Sequence, residues 1–121
     1  MKFKDFADYM QRGFVPADPK QGVTDAVLFL GMDGSDVSSD GVWNLFERHG
    51  RKLSDYMGPN AVGPIFAWIK SSRLAVEVGR RNSARASTKH SDMGIYRLTE
   101  KGIACAKLRF ESPVVSNESP T

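Results

Sequence analysis

The hydrophobic periodicity of this chain changes once, near Arg73, and that change constrains the fold more than any other feature. Before it, apolar residues recur every three or four positions. Val42, Leu45, Phe46 and His49 share one helical face, and Val62, Ile65, Phe66 and Ile69 share another. After it the period is two: Leu74, Val76 and Val78 alternate with Ala75, Glu77 and Gly79, as in a strand with one buried face. Residues 79–94 lack an apolar pattern and are rich in Arg, Ser, Thr and Lys; Ile95-Tyr96-Arg97-Leu98 then reads as a returning strand. Helices followed by a two-stranded hairpin define an α+β chain.

The other elements follow from caps and breakers. Phe3, Phe6, Ala7, Met10 and Phe14 predict an amphipathic helix over 3–12, closed by Gly13. Pro16, Pro19 and Gly22 mark residues 15–22 as a linker, and Thr24 is the expected N-cap of a helix over 25–31. A polar loop leads to a helix over 40–49, capped by Ser39 or Asp40, with Gly50 at a left-handed C-terminal position. Residues 51–60 read as irregular. The helix over 60–72 tolerates Pro64 only in its first turn. Thr99 caps a short last helix, whose end is ambiguous because Ala106, Leu108 and Phe110 alternate like a strand.

At 121 residues the chain is one domain long, and 40% hydrophobic residues exclude a wholly disordered protein. The expected organisation is an N-terminal helix and linker (1–22), a core domain (23–110) and a disordered tail (111–121). The longest apolar run, Ala26 to Leu30, is far short of a membrane span. Asp5 and Asp8 follow Lys2 and Lys4 without an apolar stretch, so no secretion signal is expected, and a cytoplasmic location fits. A single cysteine, Cys105, excludes a disulfide framework and a multi-cysteine zinc site.

The segment Ile69-Lys70-Ser71-Ser72-Arg73-Leu74-Ala75-Val76, followed by Tyr96-Arg97-Leu98-Thr99-Glu100-Lys101-Gly102, resembles the winged helix-turn-helix family. The first stretch matches a recognition helix running into a wing strand, the second the strand-to-helix exit. The resemblance covers residues 24–102. Gly58 to Phe66 and Ser83 to His90 also resemble small helix-turn-helix proteins encoded by bacteriophages and mobile elements. The resemblance implies a three-helix core with a two-stranded wing and an extra N-terminal helix. It further implies double-stranded DNA as partner, in a regulator or a replication or packaging accessory.

Charge supports that expectation by its position. Residues 1–50 carry −3, residues 51–110 carry +8 and residues 111–121 carry −2, so the total of +3 conceals a basic half. Lys70, Arg73, Arg80, Arg81, Arg85 and Lys89 crowd the wing region, with Asn82, Ser83, Ser87, Thr88 and His90 as neutral or titratable partners for phosphate oxygens. Four to six phosphate contacts would give a log K against log salt slope of roughly −4 to −5. The helix over 60–72 is poorly equipped for base readout: Asn60, Ala61, Gly63, Pro64 and Ala67 occupy its leading positions, leaving Asn60, Lys70 and Ser71 to hydrogen-bond.

Competing chemistry is weaker. Asp36, Ser38, Asp40, Gly41, Asn44 and Glu47 match the spacing of an EF-hand calcium loop, but bulky Trp43 and Arg48 depart from it, and the same residues serve as loop, cap and helix. His49 suits a core edge, His90 a basic loop and Cys105 a small buried hydrophobe. No nucleophile–base set, phosphate loop or dinucleotide fingerprint is present, so neither an enzyme nor a cofactor is expected. Trp43 reads as core, whereas Trp68 lies off the main stripe and suits packing on the N-terminal segment or an interface. The N-terminal helix suits either a cap on the domain or a homodimer seam. The alternative to DNA binding is a protein-interaction module that engages a host protein.

Overall fold

The computed structural model describes residues 2–58, 60–84 and 92–111. They form an α+β fold of five α-helices and an antiparallel hairpin: α1 (Phe6–Arg12), α2 (Pro19–Gly31), α3 (Ser39–Arg48), a 3-10 turn (Leu53–Asp55), α4 (Val62–Ser71), β1 (Ala75–Asn82), β2 (Asp92–Leu98) and α5 (Glu100–Arg109). This order is compatible with a winged helix. The described helices are all too short to cross a membrane.

Most helix starts are set by side-chain caps. Asp5, Asp18, Ser38 and Thr99 each accept a hydrogen bond from the backbone N–H three residues on, which satisfies a donor the helix itself cannot. Thr99 is the cap expected from sequence, whereas α3 is capped by Ser38 rather than by Ser39 or Asp40. Helix α2 starts well before the expected position. Pro19 occupies its first turn, where a missing N–H costs nothing. Gly22 lies inside the helix, where a Cβ would come within 2.7 Å of the Phe14 ring, so the glycine makes room for that ring. Thr24 is therefore helix interior, its hydroxyl donating to the Lys20 carbonyl at 3.0 Å. The apparent linker is a four-residue turn over 15–18, closed by the Asp18 N–H donating to the Val15 carbonyl at 2.9 Å, and the first turn of α2.

The core brings α1 and the end of α5 together. Phe6 meets Tyr9, Phe29, Phe46, His49 and Phe110 at ring-centroid distances of 5.2 to 6.5 Å. Phe3 pairs in parallel with Phe110 as an isolated β-bridge: its N–H donates to the Arg109 carbonyl and its carbonyl accepts from the Glu111 N–H. The alternating Ala106, Leu108 and Phe110 are thus the end of α5 and a bridge residue, with Leu108 exposed. His49 sits at the core edge as expected, and Cys105 is half-buried against the core.

One ionic contact lies inside this core. Asp25 on α2 is fully buried and receives the Arg109 guanidinium through both oxygens, at 2.7 and 3.1 Å. Gln21 adds a third donor at 3.1 Å, and the Tyr9 hydroxyl donates to the same carboxylate. Burial, and secondarily the Asp25 charge, push the Tyr9 phenol far above its ordinary value of 10.0. Helices α1, α2 and α5 therefore share one polar node.

Two outcomes are expected. Replacing Arg109 by Ala strands a buried carboxylate and should cost about 3 kcal/mol in urea unfolding. Tyr9 is held neutral in the fold and ionises on unfolding at alkaline pH: its folded pKa is raised, so its contribution is complete below about 10 and lost as pH rises beyond it. Tyr9→Phe should reduce the dependence of the unfolding midpoint on pH above 10, measured by circular dichroism.

Candidate nucleic-acid interface

The hairpin leaves the helices through a tight corner. Arg73, between α4 and β1, is the only described non-glycine residue with a left-handed backbone, at φ 64°. The Thr99 hydroxyl donates to its carbonyl at 2.6 Å, and the Thr99 N–H donates to the Leu74 carbonyl at 3.0 Å. A Cβ on Gly102 would come within 2.0 Å of that same Leu74 oxygen, so only glycine allows α5 to start this close to β1. The corner thus joins the root of β1 to the end of β2.

The strands are longer than the periodicity indicated, and their buried face is different. Leu74 and Ala75 are buried, but Val76 and Val78 are 50% and 48% exposed. Two features explain the miss. Beyond Ala75 every residue of β1 is exposed or half-exposed, so neither face of that strand is covered and the alternation loses its meaning. A register shift between Glu77 and Gly79 also inserts Val78 as a bulge, which inverts the alternation after it. Arg80 consequently lies on the face of Glu77.

That placement decides which basic groups are available. Arg80 donates to Glu77 at 2.7 Å and to Asp92 at 2.7 Å, and Lys70 lies 3.6 Å from the other Glu77 oxygen. The Asp92 and Glu77 carboxylates raise the Arg80 pKa, while Arg80 above all holds Glu77 below the ordinary carboxylate range. Arg73 and Arg81 are exposed, and their side chains have no acidic partner among the described residues. Asn60 is exposed ahead of α4, and the Ser71 hydroxyl is engaged by the Trp68 carbonyl. Arg85, Ser87, Thr88, Lys89 and His90, expected to contact DNA, lie outside the described residues, as does the tail from residue 112.

Two acids missed as fold determinants hold the hairpin against the helices. Asp40, 5% exposed in the first turn of α3, accepts from the Ser83 hydroxyl at 2.6 Å and from the Ala84 N–H at 2.8 Å. Asp36 pairs with Arg97 on β2 at 2.7 Å, beside an antiparallel bridge between Val37 and Tyr96. Both belong to the EF-hand-like spacing. In the folded chain residues 39–48 are helix, so the later positions of that spacing form no loop, and its first and fifth carboxylates already have partners. Among the described residues no cluster of three metal-ligating acids, histidines or cysteines occurs.

Between α3, α4 and β2 lies a cavity of about 290 Å³, walled by Trp43, Phe66, Met93 and Tyr96, with Asn60 and Gly63 along one side. Trp68 is not part of it. It is 43% exposed on α4, with the Lys20 ammonium 4.8 Å above its ring. No family model, curated protein or solved structure matches the chain.

Asp40→Asn removes one of the two acceptors that secure residues 83 and 84. It should cost about 1–3 kcal/mol in unfolding free energy and accelerate hydrogen exchange at the Ala84 amide, detected by NMR.

Proposed function

We propose that this chain is a winged-helix DNA-binding protein that meets duplex DNA chiefly through the hairpin and its connecting segment. Helices α2, α3 and α4 serve as the three-helix core, and the isolated bridge between Val37 and Tyr96 ties the approach to α3 to the hairpin. The observation that carries the reading is the basic hairpin following α4: its Arg81, and Arg73 at the corner before it, are exposed and have no acidic partner among the described residues. The connecting segment adds Arg85 and Lys89 by sequence, with Ser87, Thr88 and His90 as further phosphate partners. Arg80 and Lys70 act differently: held by Glu77 and Asp92, they shape the hairpin more than they offer charge.

Contact with phosphates rather than base edges suits this surface. Helix α4 presents exposed Gly63, Pro64 and Ala67, which permit close approach but read no sequence. A weakly selective regulator, or an accessory in replication or packaging, fits such an interface. The exposed Trp68 favours a second reading, an adaptor that docks on a host protein through α4. A homodimer through α1 would need a surface other than its apolar face, since Phe6, Tyr9 and Met10 are buried in the chain's own core.

Four phosphate contacts, from Arg73, Arg81, Arg85 and Lys89, give a salt slope of roughly −3 to −4. In a gel shift with generic duplex, the joint change of Arg81, Arg85 and Lys89 to Ala should abolish the complex with little change in melting temperature. Arg80→Ala alone should weaken it less than Arg81→Ala. Absence of duplex binding at low salt would sink the DNA reading, and a stable complex in a pull-down with host proteins would then favour the adaptor.

A further inference from the structure

The cavity beneath the hairpin has no role in phosphate contact, and its chemistry points to a ligand of a different kind. We propose that it binds a neutral nucleobase, with adenine the best match. Three observations support this. Its walls include the Trp43 indole and the Phe66 and Tyr96 rings, the last two 5.0 Å apart, so a planar heteroaromatic gains stacking surface. Its volume of about 290 Å³ lies just below the usual range of ligand sites (roughly 300–1,000 Å³), which suits a single ring system with a compact substituent. Its charged lining residues, Arg80 and Asp92, neutralise each other at 2.7 Å, so it offers no net charge to a phosphate. The Ser39 and Ser83 hydroxyls that also line it already donate to the Met93 sulfur and to Asp40, so polar recognition falls to Asn60, whose carboxamide presents one acceptor and two donors, the pattern that pairs with the amino group and ring nitrogen of adenine.

The surroundings hold this shape. A Cβ on Gly94 would stand 2.7 Å from the Tyr96 ring, so the glycine seats that ring as a wall. Gly63, on the first turn of α4, has nothing within 4 Å of the position a Cβ would take. A side chain added there enters open space without displacing the fold, which makes Gly63→Leu a blocking variant. The ligand could be free adenosine or an adenine presented by an unpaired strand; the recognition chemistry is shared.

The test uses the full chain carrying Trp68→Phe, which leaves Trp43 as the sole indole. Its fluorescence is titrated with adenosine and, separately, with a short oligodeoxyadenosine strand. Saturable quenching by adenosine, weakened at least about tenfold by Gly63→Leu and about tenfold by Asn60→Ala, establishes the site for the free ligand. The same response to the strand alone assigns the base to a nucleic acid. Melting temperatures of both variants, measured in parallel, separate blocking from unfolding. The proposal is overturned if neither ligand quenches at millimolar concentration, or if folded Gly63→Leu responds like the parent. Duplex binding by the basic hairpin is scored independently, so the failure of either reading leaves the other standing.

Discussion

The buried pairing of Asp25 with Arg109 is the contact on which the rest of the fold depends. A lone carboxylate at that depth would be strongly unfavourable, and the guanidinium, Gln21 and Tyr9 together satisfy it. The three donors come from α1, α2 and α5. The node therefore specifies how the first and last helices sit on the second. It also sets α5 in place, and α5 in turn closes over the Leu74 carbonyl at the root of the hairpin. A polar contact in the core is thereby linked through one helix to the geometry of the basic surface.

A second layer of acids fixes the direction of the hairpin. Asp36 and Asp40 flank the bridge at Val37 and reach one strand each, Arg97 on β2 and Ser83 just beyond β1. Exposed ion pairs of the Asp36–Arg97 kind contribute little alone. The buried Asp40 clamp contributes more, because its two hydrogen bonds are shielded from water. Together they tie the Arg97 end of β2 and the far end of β1 to the helices, while the charge the hairpin carries outward is determined by Glu77 and Asp92.

Much of this was legible in the chain itself. The faces of α3 and α4, the Thr99 cap, the left-handed Gly50 and the first-turn position of Pro64 follow from periodicity and backbone chemistry, since each acts within one turn of its own element. The misses have the opposite character. Pro19 and Gly22 resemble a linker because their helical roles depend on Asp18 and on the Phe14 ring. Asp40 resembles a cap or a calcium ligand because its partners lie more than forty residues away. Val76 and Val78 resemble core because alternation reports a face without saying whether anything covers it. At the candidate interface, the basic run was visible, but the neutralisation of Arg80 depends on a shift in register, and that of Lys70 on the contact of α4 with β1, neither of which a pattern of residue types displays. The cavity was invisible for the same reason: its walls come from three elements.

The bulge at Val78 has a consequence for how such a surface can change. Arg80 and Arg81 are chemically identical neighbours, yet one is held by two carboxylates and the other is exposed with no acidic partner among the described residues. Nothing in the side chains sets them apart; the parity of the strand does. A one-residue insertion or deletion at this point would exchange their faces without altering net charge or composition. The reach of the basic surface is thus encoded in a count of backbone units, a quantity that can be reset in a single step while every arginine stays in place.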